Sequence, residues 1–530
     1  MVSGAQTGAD RRTRPAFLFA LIFSALFLLH SPLLRLPYFW DEAGYFVPAA
    51  RDLLLTGDLI PQSTLSNAHP PLVMIYLALW WKLSGFMPAV TRTAMLLVAA
   101  LALAGVHRLA RQVANAEVAL AATVLTALYP VFFMQSVMAH LDLAAAALTL
   151  WALAFYLEQR IVVAALLFAL AALAKETAVI APLALAGWQF LRHVKAPHDQ
   201  EERQGRPGYL LLFLAAVPLA LWFSYHNQRT GYVFGNPEYV KYNLLATADP
   251  LRIAFAALRR LWQACGHQGL WALTLAALVA MLRPPLCDGD QERPRIAIAR
   301  QMTFAVVVTA YVGLFSVAGG AMLARYMLPV VPLVVIVWVS TLRRRLRHWK
   351  VMVAMVAAGF VAAWFIQPPV PLSPEDCLAW RDYVLMHKRG ADFLGTRYSL
   401  ARVLTAWPAT DELTRPYLGY ARTPFRVIAL RDFSPPQIAI AARNNGLYDV
   451  ALVFSTKPDP PGNLLARLPG WERLETRFFD YHRDLEPEAI AALLGGRIVY
   501  QERRGGQWVA VIEIGGPQNA SAMPIDSLNH

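Results

Sequence analysis

Residues 15–45 read PAFLFALIFSALFLLHSPLLRLPYFWDEAGY, and this stretch indicates both the fold class and the place to look for chemistry. Across residues 15–34 the only ionisable side chain is His30. At about 1.5 Å per residue, an uncharged helix of this length crosses the roughly 30 Å hydrocarbon core of a bilayer. The segment is therefore predicted to span a membrane, with the carboxylates of Asp41 and Glu42 just beyond its end.

The composition of the whole chain is typical of a membrane protein. Its 530 residues are 57% hydrophobic and 16% charged, whereas about a quarter of an ordinary soluble domain is charged. The 48 Lys and Arg, against 35 Asp and Glu, fall in short clusters between apolar runs, which favours membrane-flanking charge over a nucleic-acid surface. Three scattered cysteines indicate neither a disulfide framework nor a metal site. No metal site is predicted, and cofactor use stays open.

Ten further uncharged runs predict additional spans. They are 93–106, 118–138, 143–157, 161–174, 177–191, 209–225, 268–282, 301–323, 327–342 and 351–366. Several are shorter than about 20 residues, so we expect short, tilted or internally packed helices. The apolar stretch 71–88 is ambiguous. As a span it would put Arg108 and Arg111 outside, whereas as a helix on the outer surface it leaves them inside.

The surface-helix choice gives eleven spans and places every basic cluster of the inner loops in the cytoplasm. Residues 1–14 are then cytoplasmic. The protein itself is expected in the inner or plasma membrane of a bacterium. The outer segments are 35–92, 139–142, 175–176, 226–267, 319–326 and everything after residue 366. Chemistry is expected on this outer side.

The chain changes character after residue 366, where charge density becomes ordinary and short β-branched runs begin. Residues 367–515 are predicted to form an outward-facing soluble α/β domain, and 516–530 a polar tail. The predicted elements are helices 374–398, 435–445 and 486–494, strands 402–407, 425–430 and 448–455, and a hairpin over 497–514 that turns at Gly505 and Gly506. We expect this domain to serve acceptor choice or assembly rather than chemistry.

Asp41 and Glu42 are adjacent carboxylates among aromatic residues at the end of a membrane helix. Desolvation raises the pKa of a carboxylate unless a cation or hydroxyl donor compensates, and this is a common way to place a general base. The alternative is an interfacial cap followed by an aromatic belt. From these two residues alone, both interpretations stay open.

Five motifs follow one another in the outer segments. They are Asp41-Glu42, His69-Pro70-Pro71, Asp142 within Ala139-His140-Leu141-Asp142, Lys175-Glu176, and Arg325-Tyr326. This ordered set resembles the GT-C superfamily of membrane glycosyltransferases, in particular the family 39-like branch of the protein O-mannosyltransferases and the lipid A aminoarabinose transferase. The resemblance covers about residues 15–345.

The resemblance implies a polytopic α-helical GT-C domain over residues 15–366, with segment 35–92 catalytic. It also implies inverting transfer of a sugar from a polyprenyl phosphate to a hydroxyl on a lipid, glycan or protein. Carried over to this chain, Asp41 is the base and Glu42 orients acceptor or donor. Relatives place a phosphate-binding Lys beside the two prolines, whereas His69 stands before them here.

A lipid-phosphate leaving group needs no protonation, but its developing charge needs cations. The outer candidates are Arg229, Lys241, Lys175 and Arg325. Arg325 is preferred because its planar fork can grip phosphate with two hydrogen bonds, although a helix-end arginine can also simply snorkel. Lys175 and Glu176 can instead pair with each other.

Two further features are predicted to bind substrate. Asp142 can bind a sugar hydroxyl or a metal, or cap its helix. Segment 226–267 places Tyr232 and other tyrosines around Arg229 and Lys241, a composition typical of a sugar platform or of an interfacial anchor.

The rival function is a transporter or flippase. Such proteins keep ionisable groups near the midplane within inverted repeats, whereas here these groups collect at the outer ends of spans and no repeat is visible. The sequence therefore favours the transferase.

Overall fold

The structure is a computed structural model that describes residues 15–195, 208–243, 249–367, 373–457, 464–479 and 484–515. The predicted cytoplasmic segment 1–14 and polar tail 516–530 lie outside the described residues.

Helices form most of the chain up to residue 365. They are α1 Pro15–His30, α2 Val47–Thr56, α3 Leu72–Ser84, α4 Pro88–Val113, α5 Ala116–Leu128, α6 Pro130–Gln135, α7 Leu141–Leu157, α8 Ile161–Ala174, α9 Ile180–Lys195, α10 Gly208–Phe213, α11 Val217–Thr230, α12 Pro237–Asn243, α13 Pro250–Cys265, α14 Leu270–Met281, α15 Ile298–Val317, α16 Val331–Arg345 and α17 Trp349–Phe365. A two-residue ribbon, β1 Cys287–Asp288 with β2 Gln291–Glu292, lies between α14 and α15.

Five helical segments of the described chain are long and apolar enough to cross a bilayer. They are Pro15–Leu33, Pro88–Val113, Gly208–Thr230, Pro250–Met281 and Ile298–Val317, and five further apolar helices are shorter. The predicted polytopic helical membrane fold is thereby confirmed, while the number of spans and their orientation stay predictions. Helix α3 has 13 residues, the same length as α5, and its surface position stays a prediction.

Prolines and arginines explain where the predicted spans differ from the helices. Run 118–138 divides into α5 and α6 because Pro130 cannot continue the first helix but fits the first turn of the second. Helix α13 lies inside segment 226–267, which the sequence predicts as a loop. Arg252, Arg259 and Arg260 interrupt its apolar pattern and so conceal the helix.

The C-terminal region contains a five-stranded sheet. Its strands are β3 Arg402–Ala406, β4 Arg426–Leu430, β5 Val450–Phe454, β6 Gly496–Arg504 and β7 Gln507–Ile514, and its helices are α18 Ala379–Arg397, α19 Ala409–Thr414, α20 Pro435–Arg443, α21 Trp471–Phe479 and α22 Pro487–Leu494. The strand order is β4-β3-β5-β7-β6, with β3 parallel to β4 and β5, and β7 antiparallel to β5 and β6. Every residue of β5 is buried, as expected for a central apolar strand. The predicted strands and hairpin are confirmed.

This C-terminal region packs against the outer loop that follows α1. The Tyr38 N–H donates to the Leu418 carbonyl at 3.2 Å, and the Tyr420 hydroxyl donates to the Tyr38 carbonyl at 2.9 Å. A Cβ added at Gly44 would lie 2.5 Å from the Trp407 ring, so only glycine leaves room for this tryptophan. One continuous hydrophobic core includes residues of both regions. The division at residue 366 stays a prediction, but contacts cross it.

Candidate active site

A buried ion pair supports the loop after α1. The Glu42 side chain is inaccessible and accepts hydrogen bonds from the N–H groups of Phe39 at 2.9 Å and Ala139 at 2.7 Å. Arg92, the fifth residue of α4, places Nη2 3.4 Å from Glu42 Oε2 and donates to the Val137 carbonyl at 2.8 Å. Because protein donors engage both Glu42 oxygens, this side chain shapes the loop.

Asp41 precedes Glu42 but has a more open side chain. It directly precedes a single π-helical turn, Glu42–Phe46, a rare conformation that is frequent at functional sites. The side chain is 30% exposed, and its Oδ2 accepts a hydrogen bond from Arg325 Nη2. Within the described chain, Oδ1 accepts no hydrogen bond from the protein. That oxygen is therefore available to a substrate.

Arg325 lies at the centre of three carboxylates. It belongs to the 3-10 turn Ala324–Met327, and its side chain is 5% exposed. Nη2 donates to Asp41, Nη1 donates to Glu375, and Nε lies 3.3 Å from Asp142 Oδ2. A guanidinium thus fills the position between the carboxylates, and a phosphate could grip the fork only by displacing one of them.

Lys175 adds a second cation to this carboxylate cluster, which we define as Asp41, Asp142, Glu375, Arg325 and Lys175. Its Nζ lies 2.5 Å from Asp142 Oδ1. The same ammonium lies 3.9 Å from the centre of the Tyr326 ring, a cation–π contact. Lys175 therefore binds Asp142 rather than the adjacent Glu176.

Glu375 brings the C-terminal region into the cluster. Burial raises the pKa of Glu375 to about 8, although Arg325 opposes the rise. The side chain is 4% exposed, and its Oε1 has no hydrogen-bond partner in the described chain. A protonated Glu375 leaves two carboxylates facing two cations, so the cluster is neutral near pH 7.

His140 completes the buried surroundings of Arg325. Its Nδ1 lies 3.2 Å from Arg325 Nη1 and 2.7 Å from Gln135 Oε1. The ring is fully buried, and its Nε2 has no hydrogen-bond partner among the described residues.

His69 and Glu176 form a second polar pair beside the cluster. His69 Nδ1 lies 3.0 Å from Glu176 Oε2, and the side chains are 10% and 23% exposed. Tyr45 and Tyr239 each place a ring edge-on to His69, with centroids 5.6 Å away. Burial, together with the charge of Glu176, raises the pKa of the Tyr239 hydroxyl, which therefore stays protonated as a donor.

Three predicted binding residues lie elsewhere. Arg229 is 52% exposed, with Nη2 3.2 Å from Asp58 Oδ2. Tyr232 is 48% exposed, and Lys241 is exposed on α12. Among the described residues, none of the three contacts the carboxylate cluster.

Arg260 supports the segment that leads to Arg325. It is fully buried on α13 and donates to the carbonyls of Ala321 at 2.8 Å and Leu323 at 2.9 Å. Its guanidinium lies 5.3 Å from the centre of the Tyr326 ring.

The sequence predicts Asp41, Asp142, Lys175, Arg325 and Tyr326, and the structure brings them together. The sequence does not predict Glu375, Arg92, His140, Tyr239 and Arg260 as site residues. Arg92 and Arg260 carried a signal, since arginines beside apolar helices need partners. His140 lies within a quoted motif. No sequence signal pointed to Glu375, because its segment is predicted to belong to a separate C-terminal domain.

Comparisons with known proteins give matches at two levels. The sequence model of the family described as Dolichyl-phosphate-mannose-protein mannosyltransferase matches residues 68–222. Among curated proteins no match is found. Crystal structures of ArnT from Cupriavidus metallidurans, bound to undecaprenyl phosphate and in the apo state, each match with a TM-score of 0.54 at 15% identity. The two matches cover 96% and 95% of this chain, respectively, and 100% of the ArnT chain in each case.

The chain shares its overall fold with these ArnT structures. An Archaeoglobus fulgidus oligosaccharyltransferase, solved with Zn and sulfate, also matches, at a TM-score of 0.45 and 12% identity over 83% of this chain and 67% of that chain. The two ArnT matches confirm, at the level of fold, the GT-C resemblance predicted from the ordered motifs. The matched residues 68–222 include Asp142 and Lys175, whereas Asp41, Arg325 and Glu375 lie outside them.

Proposed function

We propose that this protein is an inverting membrane glycosyltransferase that moves a sugar from a polyprenyl phosphate to an acceptor hydroxyl, with Asp41 as general base. The observation that carries the proposal is the state of Asp41. One oxygen is held by Arg325, the other accepts no hydrogen bond from the described residues, and the side chain is 30% exposed beside otherwise buried charges. The GT-C fold supports the reaction class.

The reaction requires one base and one charged leaving group. Asp41 Oδ1 takes the proton of the acceptor hydroxyl while the acceptor oxygen attacks the anomeric carbon. The bond between that carbon and the phosphate oxygen breaks on the opposite side, and the configuration inverts. The lipid phosphate leaves as an anion, so no acid has to protonate it. Asp41 then releases its proton to water.

Arg325 has two roles in this proposal. In the absence of donor it holds Asp41 and Asp142 in place through its guanidinium. When donor binds, the phosphate replaces Glu375 at Nη1, because a protonated carboxyl is the weakest of the three partners. Lys175 supplies a second positive charge next to Tyr326.

The remaining predicted residues receive distinct roles. Glu42, locked by Arg92 and backbone donors, is a positioning residue for the loop that carries Asp41. His69 and Glu176 contact the sugar, with the Tyr239 ring beside them. Arg229, Tyr232 and Lys241 contact substrate only if their segment moves.

A transfer assay tests the proposal. The full-length protein, reconstituted in lipid, is incubated with a panel of polyprenyl-phosphate sugars and with membrane extract as acceptor, and mass spectrometry follows the lipids and products. We expect acceptor-dependent release of polyprenyl phosphate by the wild-type protein and release at least about a hundredfold slower by Asp41→Asn. Movement of the lipid between leaflets without loss of its sugar would instead support the transporter.

A further inference from the structure

A second charged site lies at the other end of the membrane helices. Near its start, helix α4 contacts Glu42 through the side chain of Arg92. The helix ends at Val113, about 30 Å from Arg92 at 1.5 Å per residue. At that far end there is a cavity of about 300 Å³. Its lining includes Val113, Asn115, Arg295, Arg300, Ser340 and Arg343.

Among the described residues, three arginines and no acidic residue line this cavity. Arg343 has a carboxylate partner, Glu117, at 2.8 Å, but Lys350 binds the same carboxylate at 2.8 Å. Arg300 donates to the Gln112 carbonyl at the end of α4, at 2.6 Å. In the described chain, neither Arg295 nor Arg300 has an acidic partner. The cavity therefore holds uncompensated positive charge.

The backbone adds to this positive potential. Helices α5 and α15 both begin at the cavity, with Asn115 and Ala297 as their N-terminal caps. The N-terminus of a helix carries partial positive charge and exposed N–H groups, which favour anions. The Ser340 side chain also lines the cavity and can donate a hydrogen bond.

We propose that this cavity binds the phosphate group of an anionic phospholipid in the leaflet opposite the carboxylate cluster. Arginine forks match phosphate oxygens, and basic pockets between membrane helices at this depth suit lipid headgroups. The four helices that meet here, α4, α5, α15 and α16, belong to the bundle that carries the candidate active site at its other end. The proposal does not rest on the transferase activity.

Lipid retention tests the proposal. The full-length protein is placed in nanodiscs of phosphatidylcholine with or without phosphatidylglycerol, and native mass spectrometry measures the lipid that stays bound. Arg295→Gln/Arg300→Gln should retain phosphatidylglycerol at least about tenfold less well. The matched control is Arg283→Gln/Arg347→Gln, which removes two exposed charges from the same face outside the cavity. It should behave like the wild type.

Two outcomes would overturn the assignment. Equal losses in the cavity variant and its control would mean that general surface charge, not the cavity, attracts the lipid. Displacement of the lipid by millimolar inorganic phosphate would identify a soluble phosphate as the occupant. If the double variant does not fold, Arg295→Gln alone changes an exposed residue and gives the same comparison.

Discussion

Two outer segments of the chain, 35–92 and 226–267, are both predicted to contact substrate. In the structure, their predicted residues differ in burial and in ion pairing. In the first, Asp41, Glu42 and His69 each engage a distant charged partner, and all three partners are at least partly buried. In the second, the predicted residues are exposed, and Arg229 pairs with Asp58, whose side chain is 22% exposed.

The difference shows which sequence signals carry over into geometry. A charge buried among membrane helices must find a partner, so its neighbours can be anticipated from other charges at the same depth. An exposed cation among tyrosines needs no partner, and its composition alone does not place it in a site. We therefore expect substitutions in the first segment to have the larger effects on transfer.

The largest effect is expected for Asp41→Asn. The amide keeps the shape but cannot accept the proton, so transfer should fall by about 10²- to 10⁴-fold, measured as initial rate in reconstituted lipid. Asp58→Asn, at a surface ion pair in the same segment, is the control and should remain near wild-type activity. An Asp41→Asn protein that keeps more than about a tenth of the activity would contradict the base assignment.

Arg325→Lys should have the next largest effect. The lysine keeps one charge but cannot hold Asp41 and Asp142 and also reach the donor phosphate, so the phosphate loses its partner at Nη1. We expect the KM for the lipid donor to rise about tenfold more than the KM for the acceptor. Equal changes in the two constants would leave Arg325 with a structural role only.

Glu375→Gln should change the pH dependence of stability. The folded protein holds the Glu375 proton up to about pH 8, whereas its ordinary pKa is 4.5. Between these values the folded state binds more protons, so wild-type stability should fall as the pH rises through this window. In Glu375→Gln this contribution should disappear, measured as the unfolding midpoint between pH 5 and about 9.

The control for that series is Glu502→Gln in the same C-terminal region. Glu502 has a lowered pKa because of its hydrogen bond with Arg389, so its replacement should leave the slope above pH 5 unchanged. Parallel pH profiles for the wild type and Glu375→Gln would show that Glu375 is ionised when buried, and that the cluster is not neutral.

The smallest effect is expected for Arg229→Ala/Lys241→Ala. Both side chains are exposed, and an exposed ion pair contributes about 0–1 kcal/mol. Transfer rates should therefore stay within about threefold of wild type. A loss of tenfold or more would show that segment 226–267 closes over the donor, and the contrast between the two segments would disappear.

Sequence reasoning recovered the membrane fold, the C-terminal strands and the placement of Asp41, Asp142, Lys175 and Arg325. It could do so because uncharged runs mark helices, and charges at their outer ends share one depth. It missed Glu375, which is 334 residues from Asp41 and approaches only through tertiary packing. It could not foresee that Arg325 is already surrounded by carboxylates, since no periodicity encodes long-range pairing.

The close approach of Trp407 to Gly44 determines when, during synthesis, the loop after α1 can reach its final shape. Translation proceeds at about 5–20 residues per second, so residue 407 follows Asp41 out of the ribosome by roughly 20 to 70 seconds. During that interval the loop after α1 has no tryptophan over Gly44, and Arg325 and Glu375 are themselves made only in its later part. We expect the loop to reach its final shape last, although it is among the first segments made, so that only a completed chain acquires the site.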